Sequence, residues 1–167
     1  ALLKELNLDI NKVINNFKKY EPTEGRGKIH YIKRYRKKFK LIDESYNANP
    51  LSVKNAINIF NSIKTKSSKK YLLLGEMLEL GKRSEQLHKN LSKVINNSDI
   101  DKVFIKGEKT IATYKNIHKH KRGNIFQQEG DVDITLNNII DNNDYLMIKG
   151  SNATGLNNLT KRMIKGN

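Results

Sequence analysis

Residues 71–75 read Tyr71-Leu72-Leu73-Leu74-Gly75, a continuous apolar run that stops at a glycine. Such a run, without polar alternation, is typical of a strand buried on both faces of a parallel sheet. Residues 103–105 (Val-Phe-Ile) form a second run, and residues 145–148 (Tyr-Leu-Met-Ile) form a third. We therefore expect several buried strands, each followed by a loop that contains glycine.

Between these strands, apolar residues recur at intervals of three and four, which predicts helices. Pro50 stands where the first helix would begin. The expected apolar helix faces lie within residues 53–63, 87–95, 132–140 and 156–164. Strands that alternate with helices predict an α/β fold, with a mostly parallel sheet and helices on both faces.

The first 44 residues follow a different pattern. Residues 10–17 have helical spacing, and residues 21–27 contain one proline and two glycines, which indicates a linker or domain boundary. Residues 28–44 predict a hairpin, in which Ile29 and Tyr31 alternate with basic residues. A chain that starts inside a helical pattern without methionine is expected to be part of a longer polypeptide.

Composition narrows the classes of function. The chain has 167 residues and no cysteine, which excludes disulfides, zinc–thiolate sites and cysteine nucleophiles. No apolar run is long enough to cross a bilayer. The net charge of +15, from 32 Lys and Arg against 17 Asp and Glu, favours phosphate-bearing partners. Nucleic-acid binding stays open as an alternative, although the low aromatic content (7%, no Trp) argues against base-stacking platforms. The other explanation of the charge is a compositional bias spread over solvated faces.

Ligands in parallel α/β sheets bind at the carboxyl ends of the strands. The loops at those ends are residues 43–50, 75–84, 107–110 and 149–155. The adjacent carboxylates Asp43 and Glu44 could accept the hydroxyls of a ribose, and the amides of Asn47 and Asn49 suit a base or a peptide. The alternative for this loop is ordinary turn and helix-cap chemistry.

The other loops carry weaker signals. In the second loop, Glu76 and His88 could be functional, or His88 could be a structural residue on a helix that Ser84 caps. The third loop is expected to be an ordinary turn. The fourth loop offers Lys149, Gly150, Ser151 and Asn152 before a helix, a pattern that suits anion binding or a plain turn.

Three further features complete the pattern. Arg26 lies between two linker glycines, where it could bind a phosphate or remain a solvated charge. No Walker A loop and no metal-ligand spacing occurs in the sequence. His118 and His120 lie in a basic stretch and are expected at the surface.

Together these loops resemble the Mur peptide ligases, in the branch called MurF. The resemblance covers nearly the whole chain and argues against other Mur ligases and folylpolyglutamate-type enzymes, which carry different residues in the first loop. It rests on Glu24-Gly25-Arg26-Gly27, on residues 43–50 (Asp-Glu-Ser-Tyr-Asn-Ala-Asn-Pro), on residues 74–81 (Leu-Gly-Glu-Met-Leu-Glu-Leu-Gly) with Ser84 and His88, and on residues 149–152 (Lys-Gly-Ser-Asn).

The resemblance implies a Rossmann-like domain that closes over ATP in an enzyme that joins D-alanyl-D-alanine to UDP-N-acetylmuramoyl-tripeptide. The resemblance also implies that the reaction would proceed through an acyl phosphate with Mg²⁺. Residues 1–24 would be the tail of the central ATPase domain, and residues 25–167 the C-terminal domain. ATP and Mg²⁺ would be held mainly by the central domain, so this chain alone is expected to be inactive and to contain no metal site. A cytoplasmic, monomeric bacterial enzyme is expected, with no nucleic-acid partner and no membrane insertion.

The resemblance also implies roles for individual residues. ATP would be bound by Arg26, by Asp43 or Glu44, and by Asn47 and Asn49. The dipeptide would be bound by Lys149, Gly150, Ser151 and Asn152. Tyr46, Glu76 and His88 are motif positions without an assigned role.

Overall fold

The computed structural model describes residues 20–166, together with residues 5–9, 11, 12 and 14. The predicted helix over residues 10–17 lies mostly outside the described residues. The division at residue 24 stays a prediction.

Six strands form one sheet in the order β1-β2-β6-β3-β4-β5. β1 and β2 pair as an antiparallel hairpin, and the remaining neighbours are parallel, which confirms the predicted α/β fold. The strands are β1 (Lys28–Arg34), β2 (Lys37–Glu44), β3 (Lys70–Gly75), β4 (Lys102–Lys106), β5 (Arg122–Phe126) and β6 (Tyr145–Lys149).

Helices cover both faces of the sheet, as predicted. One core lies under α1, α2 and α3, and the other lies under α4 and α5. The short helix α3 was not predicted, because six residues with few apolar side chains leave no readable period. The helices are α1 (Pro50–Ser62), α2 (Ser84–Asn96), α3 (Ile111–Asn116), α4 (Glu129–Ile139) and α5 (Leu156–Lys165).

The chain crosses the sheet in a way that creates a binding edge. In the sheet, β3 lies two positions from β2, and β4 and β5 follow β3 toward the far edge. The chain then returns, so that β6 fills the position between β2 and β3. The carboxyl ends of β2, β6 and β3 are therefore neighbours, and ligand sites form at such a reversal of strand order.

The edge strand β1 differs from its expected pattern. Ile29 and Tyr31 are exposed, and the buried side chain is Ile32, which packs in the core under α4 and α5. Helices cover the face of β1 that carries Ile32, so the alternation of Ile29 and Tyr31 with basic residues marks the uncovered face.

Candidate functional site

The first, second and fourth predicted loops follow three neighbouring strands at the carboxyl edge of the sheet. Glu44, the last residue of β2, is the register partner of Lys149 at the end of β6, and Lys149 is in turn opposite Leu74 of β3. The loops after these strands therefore start side by side, in spite of the long sequence separation between them.

Asp43 is buried and its carboxylate is occupied by the protein itself. Its oxygens accept hydrogen bonds from the Gly25 amide (2.8 Å), the Ser45 amide (3.1 Å) and the Ser45 hydroxyl (2.6 Å). The Gly27 amide also donates to the Asp43 carbonyl. Asp43 thus fastens the linker to the first loop.

Glu44 and Lys149 form an ion pair at the centre of the edge. The Lys149 ammonium lies 3.3 Å from Oε2 of Glu44, and it also donates to the backbone carbonyls of Glu44 and Asn47. Lys149 is only 1% exposed, whereas the Glu44 side chain keeps 22% exposure. Burial lowers the pKa of Lys149 below its usual value, the Glu44 charge opposes that shift, and nearby Arg26 adds to it.

The linker brings Arg26 to the same edge. Its guanidinium lies over the ring of Tyr46 at 4.7 Å from the centroid, a cation–π contact, and Arg26 remains exposed. Gly25 and Gly27 both have positive φ, and a Cβ on Gly25 would lie 2.5 Å from that of Tyr46. Glycine is therefore required for the linker to pass so close to the first loop.

The two asparagines of the first loop make local hydrogen bonds. The Asn49 side chain accepts from the Ser52 amide, and the Ser52 hydroxyl accepts from the Asn49 amide, which is a capping box at the start of α1. The Asn47 side chain accepts from the Ala48 amide. Part of this loop is therefore the turn and cap chemistry that the sequence left open.

The first three residues of the fourth loop are buried. The Ser151 hydroxyl accepts from the Leu78 amide (3.1 Å) and donates to the Ala48 carbonyl (3.4 Å), so it joins the first, second and fourth loops. A Cβ on Gly150 would lie 3.1 Å from Cα of Gly75. Of the four residues assigned to the dipeptide, only Asn152 is exposed.

His88 holds the second loop to α2. It is fully buried, its Nδ1 donates to the Ser84 carbonyl (2.8 Å), and its Nε2 accepts from the Met77 amide (3.0 Å). These partners require the neutral ring with the proton on Nδ1. Burial lowers the pKa of His88, and the Ser84 carbonyl and the Glu76 charge partly oppose this shift.

Glu76 joins the second and third loops. Its carboxylate accepts from the Lys109 amide (2.8 Å), and its carbonyl accepts from the Ser151 amide. Beside it lies a cavity of about 220 Å³ whose walls include Leu78, Lys106 and Ala153. Lys106 was not predicted as a site residue, because it is the last residue of a strand and only the fold places it beside the second and fourth loops.

Metal-binding groups and membrane-spanning helices were searched for among the described residues. Within the part of the chain that the structure describes, no three His, Cys, Asp or Glu side chains are grouped to bind a metal ion. No helix in that part is long and apolar enough to span a membrane. His118 and His120 are exposed, as predicted.

A family model described as "Mur ligase, glutamate ligase domain" matches residues 27–152. The chain belongs to the Mur ligase family. It is 31% identical over 128 residues to the UDP-N-acetylmuramoyl-tripeptide–D-alanyl-D-alanine ligase of Bacillus subtilis, which covers 75% of this chain and 28% of that protein. The enzyme of the same name from Rickettsia prowazekii is 29% identical over 137 residues, covering 82% of this chain and 29% of that protein.

Solved structures of Mur ligases share the fold. MurF of Thermotoga maritima, solved in complex with ADP, has a TM-score of 0.79 at 20% identity over 98% of this chain and 35% of that one. MurF of Acinetobacter baumannii has a TM-score of 0.77 at 18% identity over the same shares. The predicted resemblance to the C-terminal domain of MurF-type Mur ligases is thereby confirmed. The chain spans less than a third of the length of these two curated relatives.

Proposed function

We propose that this Mur ligase domain closes over ATP in a cytoplasmic enzyme that adds D-alanyl-D-alanine to UDP-N-acetylmuramoyl-tripeptide, a step of cell-wall synthesis. The observation that carries the proposal is the grouping of Arg26, Glu44 and Lys149 at one edge of the sheet. An exposed guanidinium beside an accessible carboxylate provides a phosphate donor and a ribose acceptor on one surface.

The geometry favours Glu44 over Asp43 as the acid that accepts the ribose hydroxyls. Asp43 is buried and already accepts three hydrogen bonds from the linker and the first loop. Glu44 is partly exposed, and the ion pair with Lys149 fixes the position of its carboxylate, whose oxygens can accept hydroxyl donors. Arg26 is free to turn from Tyr46 toward a phosphate, which a cation–π contact of this kind permits at modest cost.

The cavity beside Glu76 is the proposed position of the incoming dipeptide. It combines a carboxylate, the Lys106 ammonium and apolar walls from Leu78 and Ala153. A small zwitterion with methyl side chains matches that lining, since its ammonium would face Glu76. Asn152, an exposed residue of the fourth loop, adjoins Ala153 and would lie at the rim. The buried Lys149, Gly150 and Ser151 would then act on the shape of the site rather than by direct contact.

The reaction needs groups that lie elsewhere. ATP with Mg²⁺ supplies the activation of the tripeptide carboxylate as an acyl phosphate, and this depends on charges placed around the terminal phosphate. As the resemblance to Mur ligases implies, ATP and Mg²⁺ would be held mainly by a central ATPase domain. In the described part of this chain, no three His, Cys, Asp or Glu side chains are grouped to bind a metal. We therefore expect no ligation by the 167-residue chain alone.

The proposal is tested by a chimera in which residues 25–167 replace the matching domain of the Bacillus subtilis ligase. With UDP-N-acetylmuramoyl-tripeptide, Mg-ATP and D-alanyl-D-alanine, mass spectrometry should detect the pentapeptide product with matching phosphate release. The Arg26→Ala chimera should retain the fold and lose most of the activity. A folded chimera that releases phosphate only with a different amino-acid acceptor would refute the assignment.

A further inference from the structure

The positive charge of this chain is concentrated at one edge of the sheet. We define the amino edge as the strand ends opposite the candidate site, namely residues 33–38, 63–70, 97–102, 117–122 and 140–145. These segments contain thirteen Lys and Arg against four Asp. Their net charge of +9 is more than half of the total of +15.

The opposite edge is close to neutral. The carboxyl edge comprises residues 20–28, 43–50, 75–84, 106–110, 127–130 and 149–156, and it contains seven Lys and Arg against eight Asp and Glu. A compositional bias toward lysine would give both edges a similar net positive charge. The positive charge is therefore segregated to the edge opposite the candidate site.

The four acids of the amino edge all accept hydrogen bonds from groups of the same edge, although only Asp144 is buried and the other three are exposed. Asp144 is 3% exposed and accepts from the Lys69 and Asp141 amides. Asp99 pairs with the buried ammonium of Lys70 at 2.8 Å, and Asp101 accepts from the Lys70 amide. The outward charge is carried by exposed cations: Lys33, Arg36, Lys38, Lys64, Lys66, Lys69, Lys102 and Lys119.

We propose that the amino edge docks the domain on an anionic lipid bilayer. The basic segments extend from the β1–β2 hairpin to β5, a width of roughly 24 Å for six strands at the usual spacing. A wide surface with several exposed lysines and arginines suits a planar anionic partner. Tyr31, 79% exposed, lies two residues before Lys33 on the uncovered face of β1, and an exposed tyrosine beside basic residues suits the headgroup region.

The same surface is less suited to nucleic acid. Single-strand binding uses several exposed aromatic rings as stacking platforms, whereas Tyr31 is a single exposed ring and Tyr71 and Phe104 of the neighbouring cavity are buried in the core. Docking through the amino edge would also leave the carboxyl edge directed away from the lipid, where Arg26 and Glu44 remain accessible. This inference does not depend on the proposed reaction.

The test is co-sedimentation of the 167-residue chain with vesicles at about 0.15 M salt, a concentration that screens weak surface attraction. We expect binding to phosphatidylcholine vesicles that contain about one-third phosphatidylglycerol, and none to pure phosphatidylcholine. An edge variant, with Lys38, Lys64, Lys66 and Lys119 each changed to Gln, should bind at least about tenfold more weakly, since each lysine at such a surface contributes on the order of fivefold.

The matched control changes the same total charge elsewhere. Lys54, Lys89, Lys93 and Lys161 are exposed on α1, α2 and α5, and their change to Gln should alter vesicle binding by less than about threefold. Circular dichroism melting confirms that both variants fold. Absence of wild-type binding, or equal loss in both variants, would overturn the proposal. So would tighter binding to a short DNA duplex that is lost only in the edge variant, which would identify nucleic acid as the partner.

Discussion

Replacement of Lys149 by methionine is the sharpest probe of the candidate site. The substitution keeps the length and apolar stem of the side chain, and it removes the charge that lies 3.3 Å from Glu44. The carbonyls of Glu44 and Asn47 lose a charged donor, at a cost of about 1.5–3 kcal/mol for each hydrogen bond to a charged group. Relief of the buried ammonium offsets part of that cost, since burial disfavours the charged form of Lys149.

The balance predicts that Lys149→Met lowers the free energy of unfolding by about 2–4 kcal/mol, below the sum of the individual bonds because of this relief. Glu44→Gln removes only the carboxylate partner, which is partly exposed, so its cost should be about 1 kcal/mol. The two changes share one interaction, and a double-mutant cycle should give a coupling energy of about 0.5–1.5 kcal/mol.

Urea unfolding of the wild type, both single variants and the double variant, followed by circular dichroism at pH 7, measures these energies. The matched control is Lys54→Met, because Lys54 is an exposed lysine of α1. A loss below about 0.5 kcal/mol for Lys149→Met, equal to a typical surface substitution, would refute the reasoning. It would mean that Lys149 does not hold the first loop, and the positioning of Glu44 would then need another cause.

Three further predictions concern the loops around this pair. Because burial lowers the pKa of His88, the unfolded chain binds more protons than the folded chain below about pH 6.5, and the free energy of unfolding falls as pH falls through that value. The wild type should therefore lose up to about 1.4 kcal/mol per pH unit, a loss that the His88→Gln variant should not show. Urea unfolding at pH 7.5 and 5.5 measures the difference. Asp43→Asn replaces one of two acceptor oxygens by a donor, so it should lower the free energy of unfolding by about 1–3 kcal/mol and speed hydrogen exchange of the Gly25 amide. An unchanged exchange rate would contradict this prediction. Gly107→Ala should lower the free energy of unfolding by about 2 kcal/mol or more, because φ is +108° and the new Cβ would lie 2.4 Å from the Glu76 side chain. The control Gly130→Ala, which has open space around it, should leave stability unchanged or raise it. Thermal melts compare the two variants.

The sheet was predictable because its buried strands are continuous apolar runs. The run at residues 71–75 lies in a strand buried at every position, and the helices that follow the strands keep their apolar faces. The crossover that returns β6 between β2 and β3 leaves no such trace. It depends on which strand edges find partners in three dimensions, and no local period records that choice.

The candidate site was predictable only as a set of loops. Asp43 and Glu44 are adjacent in the sequence, but they have different partners in the structure. The Asp43 carboxylate accepts from the linker amide of Gly25, and the Glu44 carboxylate pairs with Lys149. Neighbouring residues at a strand end point to opposite faces, so adjacent carboxylates must meet different surroundings. The sequence could have predicted that they differ, but it could not predict which of them the linker would cover.

The same argument applies to Lys149, which the resemblance assigns to the dipeptide and whose ammonium lies beside Glu44 in the structure. Its role in binding stays a prediction. A lysine after a buried strand indicates an anion site, but its long side chain can reach either neighbouring strand end. Here β6 lies between β2 and β3, and the ammonium turns toward the β2 carboxylate and the carbonyls of the first loop. The Lys149 ammonium at the centre of the edge therefore links the position of Glu44 to the fourth loop, which carries Ser151. A displacement of the first loop should consequently shift the fourth loop, and the reverse.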